Sequence, residues 1–108
     1  MEGPRLKRTN DDENKRYYFS LIAEDGSVVI RSEAYNSKQA RDNGVKSVQK
    51  NAADKSRYEK LEAKDGRYYF NLKASNGQVI ATSKLWDREI DRDGDIDFVT
   101  FFLGDEGA

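Results

Sequence analysis

Residues 67–83, RYYFNLKASNGQVIATS, decide the fold of this chain, and a similar stretch, RYYFSLIAEDGSVVIRS, occupies residues 16–32. The two stretches lie 51 residues apart, and Arg, Tyr, Tyr, Phe, Leu, Ala, Gly, Val and Ser recur at matching positions. Each combines an alternating segment with a Gly-containing turn and a return segment, which is the pattern of a β-hairpin. We therefore predict two tandem repeats, at about residues 5–52 and 57–103, within a single domain of residues 1–108.

The alternation assigns one face of each hairpin to the core. The expected buried positions in the two copies are Tyr17, Phe19, Leu21, Ala23, Tyr68, Phe70, Leu72 and Ala74. Tyr18 and Tyr69 then point to the opposite face of the sheet. The dipeptides Asp25-Gly26 and Asn76-Gly77 favour type I′ turns, which require a positive φ at both central residues.

A helix is predicted between the two hairpins. Ser37 is a favourable N-cap, and the apolar or small residues over 38–50 form one helical stripe. The stripe consists of Ala40, Gly44, Val45 and Val48, and the residues assigned to the solvent-exposed side are Arg41, Asp42, Lys46 and Lys50. Because glycine weakens a helix, we interpret Gly44 as the point where this helix closely approaches the sheet.

The doubled hairpin and the motif S-K-x-A-x-x-N-G-V-x-S-V-x-K-N-A at residues 37–52 resemble the YegP-like family of small bacterial and archaeal proteins of unknown function. The match covers about residues 17–83. The resemblance implies repeats of three strands and a helix, arranged as one antiparallel sheet with the helices on one face. It also implies that single-repeat members pair as dimers, and it implies no activity and no catalytic residue.

The segment after residue 83, KLWDREIDRDGDIDFVTFFLGDEGA, departs from that motif. A shift of 51 residues places Asp91 at the position of Ala40 and Asp95 at that of Gly44, so we predict that the second helix is degenerate. Residues 96–103 are rich in β-branched and aromatic side chains, which favour a strand. We expect a C-terminal strand or short segment that either joins the sheet or forms a homodimer contact, with Trp86 packing at the position of Tyr35. The overall fold class is therefore α+β.

Composition excludes several kinds of chemistry. The chain contains no cysteine and no histidine, which removes disulfides, thiolate catalysis and the commonest metal ligand. No apolar run approaches a membrane span or a signal-peptide core, so a cytoplasmic protein with no membrane partner is expected. The net charge is −1. Residues 84–108 hold eight acidic and three basic side chains, and the remaining excess of base is too small to indicate a nucleic-acid-binding protein.

The acidic run at residues 89–97 resembles a calcium loop, in which carboxylates alternate around a tight glycine turn. Two registers, beginning at Glu89 or at Asp91, both lack the final bidentate carboxylate. We interpret the run as an exposed Asp-Gly turn and predict no metal site and no cofactor. Weak binding of a cation by this run stays open.

Two classes of function remain compatible with these residues. The first is a non-catalytic structural or protein-interaction module that binds a partner or a second copy. The second is weak binding of single-stranded nucleic acid by aromatic and cationic side chains on the open sheet face, although such side chains also stabilise sheets by themselves. The candidate interaction residues are Tyr18, Tyr69, Arg16, Arg67, Trp86, Phe98, Phe101 and Phe102. No two acid–base groups are predicted to share a cleft, so we do not expect an enzyme.

Overall fold

The computed structural model describes residues 3–106, which form six β-strands and two α-helices. The elements are β1 (Arg5–Asp11), β2 (Arg16–Ile22), β3 (Val28–Ser32), α1 (Lys38–Ala52), β4 (Tyr58–Glu62), β5 (Tyr68–Lys73), β6 (Val79–Ser83) and α2 (Glu89–Glu106). A short 3-10 turn, Lys55–Arg57, connects α1 to β4. We refer to β1–β3 with α1 as the first half, and to β4–β6 with α2 as the second half.

All six strands form one antiparallel sheet in the order β1-β2-β3-β6-β5-β4. The two halves meet at the centre, where β3 pairs with β6 and Arg31 lies opposite Thr82. Outside the strands, single bridges pair Tyr17 with Tyr35 and Tyr68 with Trp86. Trp86 therefore occupies the position equivalent to Tyr35, as the sequence predicts, and the expected single antiparallel sheet is confirmed.

Both helices pack on the same face of this sheet. Phe19 and Phe70 have no exposed surface, and they share one core with Val45 and Val48 of α1 and Val99 of α2. The burial of Phe19 and Phe70 confirms the core face predicted from alternation. Since each large apolar side chain contributes about 1.5–3 kcal/mol on burial, this shared core is the main source of stability for both halves.

The predicted loss of the second helix is wrong. Residues 89–106 form α2 rather than a strand, and Ile96, Val99 and Leu103 are almost completely buried. These three residues occupy the positions of Val45, Val48 and Ala52 in α1, so the spacing that matters for helix packing is retained. The aromatic and β-branched composition of residues 96–103 favours a strand, but burial of that stripe against the sheet overrides this local preference.

The acidic run is also helical, which contradicts its interpretation as an Asp-Gly turn. Gly94 lies inside α2, and its surroundings leave open space around it. Helical geometry spreads the neighbouring carboxylates around the axis instead of directing them to one centre. Asp93 and Asp97 each pair with a separate lysine, Lys60 at 3.3 Å and Lys55 at 2.6 Å.

The hairpin turns have a different geometry from the predicted type I′. Gly26 and Gly77 have φ angles of 87° and 86°, but neither Asp25 nor Asn76 has a positive φ. In the first turn the Gly26 amide donates to the carbonyl of Ala23, and the Ala23 amide donates to Ser27. This arrangement is a three-residue loop in which a type I turn is followed by a left-handed glycine.

Arg41 is buried rather than solvent-exposed as predicted. The residue is 4% exposed, and Nη1 donates to the carbonyl oxygen of Thr9 at 3.2 Å and to the side chain of Asn10. The guanidinium thus joins α1 to the edge strand β1, while Nε lies 3.1 Å from Asp42. A long side chain whose stem packs and whose head finds acceptors can be buried despite its charge.

Candidate functional site

The sheet face opposite the helices carries no helix within residues 3–106, and we call it the uncovered face. The strand register places one outward residue of every strand in a single row across it. From β1 to β4, this row consists of Lys7, Ser20, Arg31, Thr82, Asn71 and Glu59. The row divides at the centre of the sheet into two parts with different electrostatics.

The part formed by β6, β5 and β4 satisfies its own polar groups. Thr82 Oγ1 donates to Asn71 Oδ1 at 2.8 Å, and Asn71 Nδ2 donates to Glu59 Oε1 at 3.4 Å. Lys73 Nζ lies 3.1 Å from the other oxygen of Glu59. Hydrogen bonds from Lys73 and Asn71 hold the pKa of Glu59 below its ordinary value, so the carboxylate stays charged and paired.

The part formed by β1, β2 and β3 carries the cations Lys7, Arg16 and Arg31, and we call it the cationic half of the uncovered face. Asp11 lies opposite Arg16, and the charge of Arg16 helps to lower the pKa of Asp11. Lys7, Arg16 and Arg31 form no salt bridge with any residue of the described range. The Arg31 guanidinium carbon lies 5.3 Å from the centre of the Tyr18 ring, a cation–π contact. A shallow cavity of about 240 Å³ adjoins them, lined by Asp11, Arg16, Tyr18, Arg31, Ser32 and Ala34.

The four candidate residues predicted on this face do not form a single cluster. Arg16 and Tyr18 line the same cavity. Arg67 instead pairs with Asp65, with its Nη2 2.8 Å from the carboxylate. Tyr69 is half-buried and lies opposite Leu61 of β4. Because β3 and β6 lie between β2 and β5, Tyr69 is remote from Tyr18 in the sheet.

The other four candidate residues lie in or before α2. Phe98 and Phe102 stack with their ring centres 5.9 Å apart and pack against the shared core, whereas Phe101 is 71% exposed. Trp86 is partly buried, and Lys84 Nζ lies 4.0 Å from the centre of its ring. Only Phe101 of these aromatics is therefore available as a large exposed apolar side chain.

Asp95 has an unusual environment and was not among the predicted site residues. It lies beside Trp86, and burial raises the pKa of its carboxyl to about 6 despite the opposing effects of Lys84 and Trp86. Trp86 is close enough to lower this pKa, yet neither Trp86 Nε1 nor Asp95 Oδ2 reaches hydrogen-bond geometry with any described atom. We interpret the pair as a close but imperfect polar contact. The signal that could have found it is the replacement of Gly44 by an acid at the equivalent position.

Arg41 and Arg92 are a second pair that sequence reasoning missed. Arg92 is 6% exposed, its Nη1 donates to the carbonyl of Leu61 at 3.4 Å, and its Nε lies 3.1 Å from Asp93. Each arginine thus joins a helix to the edge strand of its own half. The recurrence of the dipeptide Arg-Asp after 51 residues was the available signal.

Two further findings limit the chemistry of the described residues. Among the side chains of residues 3–104, no group of three or more acidic residues is placed to share a metal ion. Neither α1 nor α2 is both long and apolar enough to cross a bilayer.

The chain has clear sequence relatives. The domain of unknown function DUF1508 matches it twice, at residues 12–59 and 63–100. The chain is 48% identical over 84 residues to a UPF0339 protein of Acinetobacter baylyi, covering 78% of this chain and 76% of that protein. It is 38% identical over 81 residues to the UPF0339 protein YegP of Escherichia coli, covering 75% and 71%.

Solved structures agree with this relationship. The solution NMR structure of YegP from Escherichia coli superposes with a TM-score of 0.84 at 32% identity, covering 96% of this chain and 89% of that one. A UPF0339 protein from Shewanella oneidensis gives a TM-score of 0.84 at 35% identity, covering 94% and 86%. These matches confirm the resemblance seen in the repeated hairpin and its helix motif. The chain therefore belongs to the DUF1508 family of UPF0339 proteins, a family of unknown function.

Proposed function

We propose that this protein is a non-catalytic interaction module that binds an acidic segment of a partner protein on the cationic half of the uncovered face. The observation that carries the proposal is the contrast across the central row. Arg31 and Lys7 have no acidic partner in the described range, whereas Glu59 in the same row is paired with Lys73. Cations left without partners on an otherwise ordered surface favour an external anion.

The geometry of Arg31 suits recognition of a carboxylate. Its contact with Tyr18 orients the guanidinium plane, and a guanidinium of fixed orientation loses less freedom when it forms bidentate hydrogen bonds. Arg16 borders the same cavity and provides a second cation. A peptide with carboxylates on successive outward-facing residues could engage both arginines.

A protein segment fits this surface better than single-stranded nucleic acid does. Base stacking needs a free aromatic face, but Arg31 already lies over the Tyr18 ring, and Tyr69 is half-buried. The chain has a net charge of −1, and residues 84–108 carry eight acidic against three basic side chains. This charge balance lacks the broad basic surface that binding of a long polyanion requires, whereas a short acidic segment needs only a few cations.

The chemistry of the cavity supports binding rather than catalysis. Asp11 is its one carboxylate, and hydrogen bonds from Asn14 hold the pKa of Asp11 below its ordinary value. A carboxylate with a lowered pKa is a poor general acid and a weak base at neutral pH. The remaining lining residues are Arg16, Tyr18, Arg31, Ser32 and Ala34, which include no second carboxylate, no histidine and no cysteine.

Two other expectations are part of this proposal. We infer that the halves descend from a duplicated unit, with repeats of about residues 5–52 and 57–103 inside one domain. The recurrence after 51 residues, the equal order of elements and the two family matches support this inference. The binding is proposed to take place in the cytoplasm.

The test is a titration of the full chain with a labelled dodecapeptide of alternating Asp and Ser, followed by fluorescence anisotropy and by amide NMR. We expect saturable binding that weakens with added salt, with shifts centred on Lys7, Arg16 and Arg31. The double variant Arg16→Glu/Arg31→Glu should abolish binding because it reverses the charge of the site. Arg67→Glu is the matched control, since Arg67 is equivalent to Arg16 but already pairs with Asp65.

Three results would contradict the proposal. One is equal binding by Arg16→Glu/Arg31→Glu and the native chain. Another is tight, salt-dependent binding of dodecathymidylate without binding of the acidic peptide, which would favour the nucleic-acid alternative. The third is a dimer in sedimentation that Arg31→Glu converts to a monomer, which would identify a second copy as the occupant of this face.

A further inference from the structure

A polar groove lies on the helix side of the sheet, away from the uncovered face. It runs between α1 and the tip of the β5–β6 hairpin and has a volume of about 480 Å³. Its lining residues are Asn43, Lys46, Ser47, Lys50, Asn51, Asp54, Arg57, Ala74 and Ser75. A groove of this volume lies within the range of small-molecule binding sites.

The charges in this groove are mostly positive. Lys46 and Lys50 are exposed and form no salt bridge with the described residues, so both ammonium groups are available. Asp54 is the one acid among the lining residues, and its Oδ1 accepts hydrogen bonds from the Ser56 amide at 3.0 Å and the Ser56 hydroxyl at 2.6 Å. With Lys46, Lys50 and Arg57, the groove contains three cations and one carboxylate.

Arg57 is held in place by a buried amide. Its Nε donates to Asn51 Oδ1 at 3.2 Å, and Asn51 is only 8% exposed. Asn51 Nδ2 in turn donates to the carbonyl of Ser47 at 2.8 Å, which fixes the orientation of the amide. The Asp54 carboxylate lies 3.6 Å from Arg57 Nε. The two terminal nitrogens of Arg57 therefore keep their hydrogens for other acceptors, in an orientation set by Asn51.

We propose that this groove binds a small molecule that carries a phosphate group. A tetrahedral dianion with several oxygens needs both cations and neutral hydrogen-bond donors. Lys46, Lys50 and Arg57 supply the charge, and the amide and hydroxyl groups of Asn43, Ser47 and Ser75 supply neutral donors along the same walls. The arginine is pre-oriented, which lowers the entropic cost of binding a rigid oxyanion.

The equivalent groove of the second half provides an internal comparison. It lies between α2 and the β2–β3 hairpin and is lined in part by Trp86, Asp95, Phe98 and Glu24. Where α1 has Lys46, Ser47, Lys50 and Asn51, the equivalent positions of α2 have Asp97, Phe98, Phe101 and Phe102. The same backbone frame therefore holds an acidic and aromatic helix wall in the second half, where Lys84 is the one cation among the lining residues and three carboxylates lie beside it.

The test uses inorganic pyrophosphate as the probe, added to the full chain and followed by amide NMR. We expect saturable shifts in residues 43–51, Arg57 and the hairpin tip at Ala74 and Ser75. Lys50→Met and Arg57→Gln should each weaken binding by at least about tenfold, as expected for loss of a charge-assisted hydrogen bond. Lys38→Met is the matched control, because Lys38 is an exposed cation at the start of the same helix but outside the groove. The affinity of this variant for pyrophosphate should equal that of the native chain.

Sodium chloride at equal ionic strength and sodium sulfate at equal concentration are the ligand controls. Shifts that sodium chloride reproduces, or an equal loss of affinity in Lys38→Met and Lys50→Met, would overturn the proposal. Equal affinity for sulfate would overturn the assignment to phosphate. This site does not depend on the proposed protein interaction, so Arg16→Glu/Arg31→Glu should bind pyrophosphate as the native chain does. If that variant loses pyrophosphate binding, the anion binds the uncovered face and the groove proposal fails.

Discussion

The contact of α1 with Tyr35 and the contact of α2 with Trp86 occupy equivalent places in the two halves, yet they are built in opposite ways. In the first half residue 44 is a glycine, and the Tyr35 ring occupies the space where a side chain at residue 44 would lie. In the second half Asp95 keeps its side chain beneath Trp86, and the carboxyl is partly buried there. The backbone frame therefore does not require one particular residue at the contact between the helix and the residue after the third strand of each half.

The parts of the frame that recur explain why both solutions fit. Ser32 and Ser83 each accept a hydrogen bond from the buried amide of the neighbouring strand, Phe19 at 3.0 Å and Phe70 at 2.9 Å. Buried arginines join each helix to its edge strand in the same manner. Because these buried contacts hold the elements in place, the outer helix surfaces and the uncovered face can differ between the halves. Lys7, Arg31, Lys46 and Lys50, which form no salt bridge with the described residues, lie in the first half, and the two proposed binding sites use them.

Among the substitutions that compare the two halves, the largest effect is expected for Gly44→Ala. A Cβ at residue 44 would lie 2.7 Å from Tyr35 Cζ and closer still to the hydroxyl, so the ring must move. Overpacking of this kind costs about 1–3 kcal/mol, and the better helix propensity of alanine offsets up to about 1 kcal/mol. We expect the free energy of unfolding in urea to fall by about 1–2 kcal/mol.

Two variants sharpen this first prediction. Asp95→Ala is the matched substitution in α2 and creates no clash, because the position already has a Cβ. In a double-mutant cycle, Tyr35→Ala should remove most of the additional cost of Gly44→Ala. A Gly44→Ala protein as stable as the native chain would show that Tyr35 is loosely held and that the two contacts differ less than the structure indicates.

The second prediction concerns the pH dependence of the Asp95 contact. The pKa of Asp95 is raised from 3.8 to about 6, so the folded chain binds the proton more tightly than the unfolded chain does. Stability from this group is therefore greatest below about pH 4 and is lost as the pH rises through about 6. Asp95→Asn should be nearly neutral at about pH 4 and stabilising by roughly 1 kcal/mol at about pH 7, after allowance for partial solvent screening.

Asp93→Asn is the control with the opposite sign. Burial acts to raise the pKa of Asp93, but hydrogen bonds and charge from Arg92 and Lys60 hold it below its ordinary value. Its substitution should therefore destabilise the chain at about pH 7 and lose that effect in acid. Urea unfolding at several pH values measures both variants. If Asp95→Asn destabilises the chain at neutral pH, the charged carboxylate of Asp95 is stabilised in the fold. The difference between the Gly44 and Asp95 contacts would then not be the one stated above.

The smallest effect is expected for Phe101→Lys, which gives α2 the residue that α1 has at Lys50. Phe101 is 71% exposed, so its replacement should change the free energy of unfolding by less than about 0.5 kcal/mol. Leu103→Ala is the positive control, because Leu103 is 1% exposed and its truncation should cost about 2–5 kcal/mol. Sedimentation of Phe101→Lys checks the predicted homodimer contact of this segment. A change in mass would show that Phe101 is buried between two copies.

Several features of the fold could be predicted from the sequence alone. The burial of Phe19 and Phe70 follows from alternation with a period of two, and the start of α1 at Ser37 follows from a capping residue before a helical stripe. The close approach at Gly44 follows from a glycine in that stripe. These features depend on neighbours within a few residues, so the local pattern contains the necessary information. The same pattern also identified Arg16 and Tyr18, which share one cavity.

Tertiary structure alone decided the rest. Residues 96–103 have the composition of a strand, but Ile96, Val99 and Leu103 are helical because that conformation places them against the shared sheet. Arg41 has the charge of a surface residue, but Thr9 and Asn10 on a distant strand supply its acceptors. Arg67 repeats Arg16 in sequence, but the strand order β1-β2-β3-β6-β5-β4 places the two arginines in different parts of the sheet. In each case the deciding partner comes from packing and pairing that the local pattern does not contain, because free energy depends on contacts between segments that are distant in the chain.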